Sequence, residues 1–251
     1  MEPGTKPKIK IDAYSKIALP HLKRVLKKNA KTMELLVERL ARDVKAGRSL
    51  FVFGSGHSAL FSLELYHRAG GASFVVPVIA DYLLPSAGPR VVRLLERTSG
   101  TGAVMLDRFG PRKGEMVWIA SQSGINSATV DFALESKKRG LATVAFTSLA
   151  HSQSVTSRHP SGKRLFEVCD EVVDLGGVAG DAAVPITSTV SAGPLSTLGA
   201  AFLGHSILVA AVAKLERAGT RCVYTSVNTP EGEARNRQLE EKAKKRDFLL
   251  R

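Results

Sequence analysis

Short runs of consecutive apolar residues alternate along the chain with stretches whose apolar residues recur every three or four positions. The continuous runs predict buried β-strands, because a strand covered on both faces shows no polar alternation. These runs lie at residues 50–53, 74–80, 116–120, 142–146 and 168–175. Helical patterns occupy residues 59–69 and 127–139 between them. The alternation predicts an α/β fold, a three-layer, doubly wound sandwich with a mostly parallel sheet.

Helical segments flank this alternating core. Residues 1–12 resemble a flexible leader, and Pro20 can start or kink a helix. We therefore expect an N-terminal helical hairpin that closes at Gly47. Residues 195–215 predict a buried helix, and residues 231–246 predict a charged helical tail. The chain from residue 13 to residue 251 is expected to form a single domain.

The positive charge of the chain is concentrated near its amino end. The 251 residues include 36 Lys and Arg against 23 Asp and Glu, a formal net charge of +13. Nine basic and three acidic residues fall between positions 21 and 48. A solvated helix face is the simplest interpretation, and small anionic substrates would be attracted to it. A nucleic-acid surface is the alternative, but no aromatic residues or recognition motif accompany the charge, so nucleic acid is not the expected partner.

The cysteine and hydropathy patterns bear on compartment. Cys169 and Cys222 stand far apart, without a Cys-x-x-Cys pair that would indicate a structural zinc site. No uninterrupted apolar run approaches the roughly 18 residues of a membrane span, and the Lys-rich start lacks a signal-peptide core. We expect a cytoplasmic protein without a membrane segment.

Two loops rich in glycine and serine each follow a predicted strand and precede a predicted helix. They are Gly54-Ser55-Gly56-His57-Ser58 and Ser121-Gln122-Ser123-Gly124-Ile125-Asn126, with Thr147-Ser148 after the next strand. Such segments are often ordinary turns. Strand ends and helix N-termini nevertheless meet at one edge of a parallel sheet, so the pair predicts a pocket for an anion such as a phosphate. Neither loop has the lysine or the spacing of a nucleotide-binding motif, so no nucleotide cofactor is expected.

These loops resemble those of the sugar isomerase (SIS) domain family, which bind phosphorylated sugars through G-x-G-x-S and S-x-S-G segments. Further motifs are similar to one phosphosugar-binding branch of that family: ELYHRAGG at 64–71, LER at 95–97, SRHPSGK at 157–163, GDA at 180–182 and SVNTPEG at 226–232. The resemblance implies a flavodoxin-like SIS fold. It also implies a homodimer or homotetramer in which neighbouring subunits complete each other's sites.

The resemblance also implies which residues bind the ligand. The phosphate would be held by Ser121, Ser123, Gly124 and Asn126, with Ser55 and Ser58 near the sugar. The expected function is that of a phosphosugar-binding protein that acts as a sugar-phosphate isomerase, moving a proton between aldose and ketose through an enediolate. A non-catalytic phosphosugar sensor is the alternative.

Enediolate isomerisation needs a base with a pKa near neutrality, an acid at the sugar oxygens and help in opening the ring. Glu64 and His67 are three residues apart on the helix predicted after the first loop, so both can face the ligand, and Glu64 is the expected base. An ordinary ion pair between Glu64 and Arg68 is the alternative. His57, inside the first loop, could bind a hydroxyl, move a proton or cap the turn.

His205 lies in an apolar run, where a lone histidine is more often a core residue. By resemblance, phosphoheptose isomerases of this family place a histidine on the corresponding helix as acid and zinc ligand. Glu64, His67 and His205 could together bind a metal, but their spacing does not define a coordination geometry, and we expect neither a metal nor another cofactor.

Other polar residues are further candidates for ligand contact. His159 lies in a basic polar loop that could attract anions or face solvent. Asp181 stands on a glycine-rich turn and could bind sugar hydroxyls or cap the segment that follows it. Ser196 and Thr197 open the predicted buried helix, where they could cap it or contact the ligand.

Overall fold

The computed structural model describes residues 9–250 except the side chain of Phe248, so most of the expected leader, residues 1–8, lies outside the described residues. The α-helices are α1 (Ala13–Lys45), α2 (Ala59–Leu65), α3 (Pro89–Leu95), α4 (Thr101–Phe109), α5 (Ser127–Lys138), α6 (Leu149–Gln153), α7 (Leu165–Val168), α8 (Ser196–Arg217) and α9 (Pro230–Ala243). The strands are β1 (Leu50–Gly54), β2 (Val75–Val78), β3 (Met116–Ala120), β4 (Ala142–Thr147), β5 (Glu171–Asp174), β6 (Ala182–Pro185) and β7 (Ser191–Pro194). Short 3₁₀ turns occupy Gly56–Ser58, Asp81–Leu83, Pro85–Ala87 and Phe248–Leu250.

Five parallel strands form the central sheet in the order β2-β1-β3-β4-β5. Leu50 at the start of β1 pairs with Val75 on one side and with Met116 on the other. This is the flavodoxin-like order, so the predicted doubly wound α/β fold is confirmed. β6 and β7 form a separate antiparallel hairpin that the apolar pattern did not indicate.

Helices cover both faces of the sheet, as the continuous apolar runs predict. Leu50 and Val52 of β1 belong to the core shared with α1, α2 and α8. Phe51 and Phe53 face the opposite core, with residues of α4 and α5. All four side chains are fully buried, which is why the strand has no polar alternation.

The amino end forms one helix of 33 residues, not the predicted hairpin. Pro20 lies inside α1, where it cannot donate a hydrogen bond to the preceding turn. The helix nevertheless continues through Pro20, because Ala18, His21 and Val25 on either side of it are buried and the helix packs along α8 and β5. Tertiary packing therefore outweighs the local signal of the proline.

Element ends also differ from the predictions. α2 stops at Leu65, four residues earlier than expected, because Tyr66 is extended and His67 has a φ of 36°. By length and composition alone α8 could cross a membrane. Its buried residues Leu203, Ile207 and Leu215 lie in the core, as in a core helix of a folded domain.

Candidate functional site

The two glycine- and serine-rich loops lie side by side at the carboxyl edge of the sheet. Gly54 at the end of β1 pairs with Ala120 at the end of β3. From β1 the chain continues outward to β2, whereas from β3 it continues in the opposite direction to β4. In doubly wound sheets this reversal opens a crevice beyond the strand ends where ligands bind.

The first loop is a tight turn in which Gly54 has no room for a side chain. A Cβ on Gly54 would stand 2.3 Å from the carbonyl oxygen of Ser58. Gly56 has a φ of 58°, which favours glycine. The buried Ser55 hydroxyl lies 3.5 Å from that of Thr129 in α5, and so joins this loop to the helix that follows the second loop. His57 is exposed at the tip of the turn.

The second loop folds back on itself before α5. Ser121 accepts a hydrogen bond of 3.1 Å on Oγ from the backbone N–H of Gly124, which has a φ of 62°. Asn126 occupies the N-cap position of α5 in an extended conformation, and its side chain does not cap the helix. The half-buried Ser123 makes no hydrogen bond found within residues 9–250. The loop therefore offers a hydroxyl beside the positive end of a 12-residue helix.

Gln122 carries a buried amide that lacks partners. Neither its Oε1 nor its Nε2 is hydrogen-bonded within the described part of the chain. A Cβ on Gly177, after β5, would stand 3.2 Å from Nε2. Since buried polar groups are almost always satisfied, the free amide is suited to a ligand or an ordered water molecule.

Thr147 and Ser148 support the second loop, which corrects their prediction as ligand contacts. Both residues are fully buried. Thr147 donates a hydrogen bond of 3.3 Å to the carbonyl oxygen of Gln122. Ser148 accepts one of 3.3 Å from the backbone N–H of His151, and so caps α6. Their hydroxyls are thus used inside the protein.

His159 contacts other protein groups, in place of the anion contact or solvent exposure that the sequence left open. Its Nε2 lies 2.7 Å from Oδ1 of Asp131 in α5, and its Nδ1 lies 2.7 Å from Oγ of Ser161. The side chain is only 9% exposed. Because both ring nitrogens are hydrogen-bonded, His159 links the loop over residues 157–163 to α5. Its neighbour Arg158 instead reaches the second loop and donates a hydrogen bond of 2.7 Å to Oδ1 of Asn126.

A cavity of about 410 Å³ opens between the first loop and the segment around α3. Its lining includes Ser55, Gly56, His57, Pro85, Pro89, Val92, Arg93, Glu96 and Arg97. The Glu96 carboxylate lies 3.7 Å from the position of a Cβ on Gly56 and is hydrogen-bonded to Asn126. Burial raises the pKa of the Glu96 carboxyl, against the opposing charges of Arg97 and Arg158. An acid with a raised pKa therefore stands between the two loops.

Neither Glu96 nor Arg158 is among the site residues that the sequence predicts. The LER motif contributed only to the family resemblance, and Arg158 only to the general charge of its loop. Glu96 lines the cavity and Arg158 contacts the second loop because the segments after β2 and β4 fold back over the sheet edge. The single signal available in the sequence was the position of both residues beyond strand ends.

Asp181 and Ser196 cap α8 together. Asp181 Oδ1 accepts hydrogen bonds from the backbone N–H groups of Leu195, at 3.1 Å, and Ser196, at 2.9 Å. Oδ2 accepts one of 2.5 Å from the Ser196 hydroxyl. Of the two alternatives that the sequence left open for both residues, these bonds favour capping over ligand contact, and Asp181 has a positive φ of 65°. Thr197 is half-buried in the first turn of α8.

Glu64 and His205 meet, but His67 does not join them. His205 Nε2 lies 3.1 Å from Oε1 of Glu64, which also forms an ion pair with Arg68. His67 follows the end of α2 and lies 2.9 Å from Glu240 of α9. It approaches the amino edge of the sheet, so the prediction that Glu64 and His67 share a helix face toward the ligand is wrong. Within residues 9–250, no three His, Cys, Asp or Glu side chains group closely enough to hold a metal ion.

The Glu64–His205 pair lies on the side of the helical layer and not in the Glu96 cavity. Glu64 lies five positions after the start of α2, a distance of about 7.5 Å along the helix axis. His205 lies nine positions after the start of α8, about 13.5 Å. Both helices begin at the carboxyl edge and run away from it. The pair is partly exposed, with 41% of the Glu64 side chain and 35% of the His205 side chain accessible.

Comparison with known proteins agrees with this fold. The SIS domain profile matches residues 13–148. A structure of a phosphoheptose isomerase from Francisella tularensis superposes with a TM-score of 0.50 at 11% identity, covering 82% of this chain and 96% of that chain, which is a likeness of fold alone. The chain therefore belongs to the SIS domain family.

Proteins of similar sequence assign the chain to a narrower family. The chain is 36% identical over 234 residues to the UPF0309 protein OB3413 of Oceanobacillus iheyensis, covering 92% of this chain and 95% of that protein. It is 36% identical over 208 residues to the UPF0309 protein ABC0887 of Shouchella clausii, covering 82% and 85%. It is a UPF0309 protein with an SIS domain.

Proposed function

We propose that this protein binds a sugar phosphate at the carboxyl edge of the sheet and interconverts its aldose and ketose forms. One observation carries the proposal. The half-buried Glu96 carboxylate, with its raised pKa, stands between Gly56 of the first loop and Asn126 of the second. A ligand whose phosphate occupies the second loop would therefore bring its sugar toward an acid–base group.

The second loop, where the phosphate is proposed to bind, offers several weak attractions to an anion. The N-terminus of α5 supplies a positive dipole end, and the Ser123 hydroxyl can donate a hydrogen bond. Arg158, held against Asn126, adds a full positive charge. The unpaired Gln122 amide can donate to or accept from the ligand. Together these groups favour a dianionic phosphate over a neutral sugar hydroxyl.

Glu96 is the proposed base for the proton that moves between C1 and C2. A carboxylate with a raised pKa is a stronger base than a fully solvated Glu, and so takes the proton more readily. His57, exposed in the same cavity, can donate to a sugar oxygen. We also propose that the protein is a homodimer or homotetramer. Glu64 and His205 could act on a sugar phosphate only if a neighbouring subunit placed its own site against α2 and α8.

The proposed location is the cytoplasm. Cys169 and Cys222 are both free thiols and neither pairs within the described residues. A reducing compartment preserves such thiols.

Proton exchange with solvent tests the activity. We would incubate the wild-type protein with individual sugar phosphates in D₂O and follow deuterium at C1 and C2 by NMR. The proposal predicts exchange by the wild type, a loss of at least about 100-fold in Glu96→Gln, and retained ligand binding in that variant. Glu64→Gln is the matched carboxylate control.

Two results would overturn parts of the proposal. If Glu96→Gln exchanges deuterium fully and Glu64→Gln does not, the base is Glu64 on the α2–α8 surface and not Glu96. Tight binding of one sugar phosphate without any exchange would identify a phosphosugar sensor instead of an isomerase.

A further inference from the structure

A second cavity, of about 550 Å³, lies at the amino edge of the sheet. It is bounded by the end of α1, the entries into β1 and β2, the turn after α8, and α9. The proposed sugar site lies at the opposite end of β1. Ser49 of the second cavity precedes this strand and Ser55 of the sugar site follows it, so the two are six residue steps apart, about 20 Å along the strand.

The lining of this amino-edge cavity is strongly basic. It includes Arg48, Arg221, Lys242 and Arg246, and no Asp or Glu. These four side chains come from separate parts of the chain: the loop after α1, the turn after α8, α9, and the segment after α9. A single small anion would not explain cations that come from so many elements.

Two of the four cations are fixed by acids behind the cavity. Arg48 donates a hydrogen bond of 2.9 Å to Asp43. Arg246 forms an ion pair with Glu115, a side chain that is only 1% exposed. The Nε of Arg246 is buried and has no hydrogen-bond partner within the described residues. These contacts hold two guanidinium groups in place and leave one donor unsatisfied.

The other two cations are exposed and unpaired. The side chains of Arg221 and Lys242 make no hydrogen bond or ion pair found within residues 9–250. Nearby acids are already engaged, since Glu216 binds Arg235 at 2.6 Å. The charges of Arg221 and Lys242 are therefore available to a ligand.

The remaining lining suits the organic part of a ligand. Ser73, Thr220 and Gln238 provide polar groups, whereas the largely buried Phe74 and Leu239 form apolar parts of the wall. A volume of about 550 Å³ lies in the range of small-molecule sites, roughly 300–1,000 Å³. We propose that this cavity binds a small organic polyphosphate of the nucleoside diphosphate class, with its phosphates toward Arg221 and Lys242. The inference does not depend on the sugar-phosphate activity.

Calorimetric titration with adenosine diphosphate at 150 mM salt tests the proposal. Wild type should bind, and Arg221→Gln and Lys242→Gln should each weaken binding by about tenfold or more, since each removes a charge-assisted contact. Lys31→Gln, an exposed cation on α1 with no partner within the described residues, is the control for net charge. Ser123→Glu places a carboxylate in the sugar-phosphate loop and should leave the affinity unchanged.

The outcomes separate the alternatives. Absence of binding by wild type would overturn the proposal. Equal weakening by Lys31→Gln would show attraction to the overall positive charge only. If Ser123→Glu loses the binding of adenosine diphosphate while Arg221→Gln and Lys242→Gln retain it, the ligand occupies the carboxyl-edge site. That result would also reject the second cavity as its site.

Discussion

Arg158 donates a hydrogen bond of 2.7 Å to Oδ1 of Asn126, the residue that precedes α5. The contact ties the loop over residues 157–163 to the second glycine- and serine-rich loop. A backbone bond of 2.9 Å from the N–H of Arg158 to the carbonyl of Ile125 runs beside it. The two bonds hold a guanidinium group next to the proposed phosphate position.

Replacing Arg158 by Gln should weaken the binding of a sugar phosphate by about 10- to 100-fold, because a charged hydrogen bond contributes about 1.5–3 kcal/mol. Binding of the unphosphorylated sugar should not change. Lys163→Gln removes an exposed charge from the same loop and is the control. Equal effects of the two substitutions in calorimetric titrations would contradict a specific role for Arg158.

The stability of the protein should depend on pH through Glu96. Burial raises the folded-state pKa of this carboxyl, so its contribution to stability is fully present below the unfolded pKa of about 4.3 and is lost as pH rises through the folded pKa. Glu96→Gln cannot lose a proton. The free energy of unfolding of Glu96→Gln minus that of wild type should therefore increase from pH 4 toward neutrality. Urea unfolding at several pH values measures this difference, and a constant difference would show that Glu96 is not desolvated.

Gly124 should tolerate alanine much less well than Gly47. Both have positive φ angles, 62° and 74°, which cost alanine about 1–2 kcal/mol. A Cβ on Gly124 would also lie 3.1 Å from Thr147 Oγ1, whereas Gly47 faces open space. Gly124→Ala should lose sugar-phosphate binding, and Gly47→Ala should lose stability alone. Thermal unfolding with and without ligand distinguishes them, and unchanged binding in Gly124→Ala would reject the loop as the phosphate site.

Asp181→Ala should lower the free energy of unfolding by about 1–2 kcal/mol, since it removes the cap of α8. Its affinity for a sugar phosphate should stay within twofold of wild type. Asp181→Asn keeps an acceptor oxygen and tolerates the positive φ, and should recover most of the loss. A large fall in affinity without a fall in stability would restore Asp181 as a sugar contact.

The strand core was predictable because burial on both faces leaves a simple pattern. Residues 50–53 and 116–120 are continuous apolar runs, and both are buried strands at the centre of the sheet. The adjacent loops followed from their position after these strands. Local patterns were less informative where packing between distant segments decides the structure. Pro20 is the example, because the contacts of α1 with α8 keep it inside one helix.

The candidate site was predictable only in part. The hydroxyl groups of Thr147 and Ser196 are equally suited to ligand contact and to internal hydrogen bonds. The choice depends on partners from other segments, the Gln122 carbonyl and the Asp181 carboxylate, that no local pattern reveals. Glu96 is the opposite case. Its burial and its contact with Asn126 arise from a segment that crosses over the sheet edge, so an ordinary acidic residue in the sequence becomes the proposed base.

Thermal unfolding of the protein against a panel of hexose, pentose, heptose and amino-sugar phosphates tests the sugar-phosphate site most directly. Matched free sugars and inorganic phosphate are the controls, and Gly124→Ala is the variant with the altered loop. A ligand at one hundred times its dissociation constant adds about 2.7 kcal/mol to stability. We predict a raised midpoint with one sugar phosphate, none with its free sugar, and none in Gly124→Ala. Equal shifts with the free sugar, or a full shift in Gly124→Ala, would contradict phosphate binding by the loop over residues 121–126.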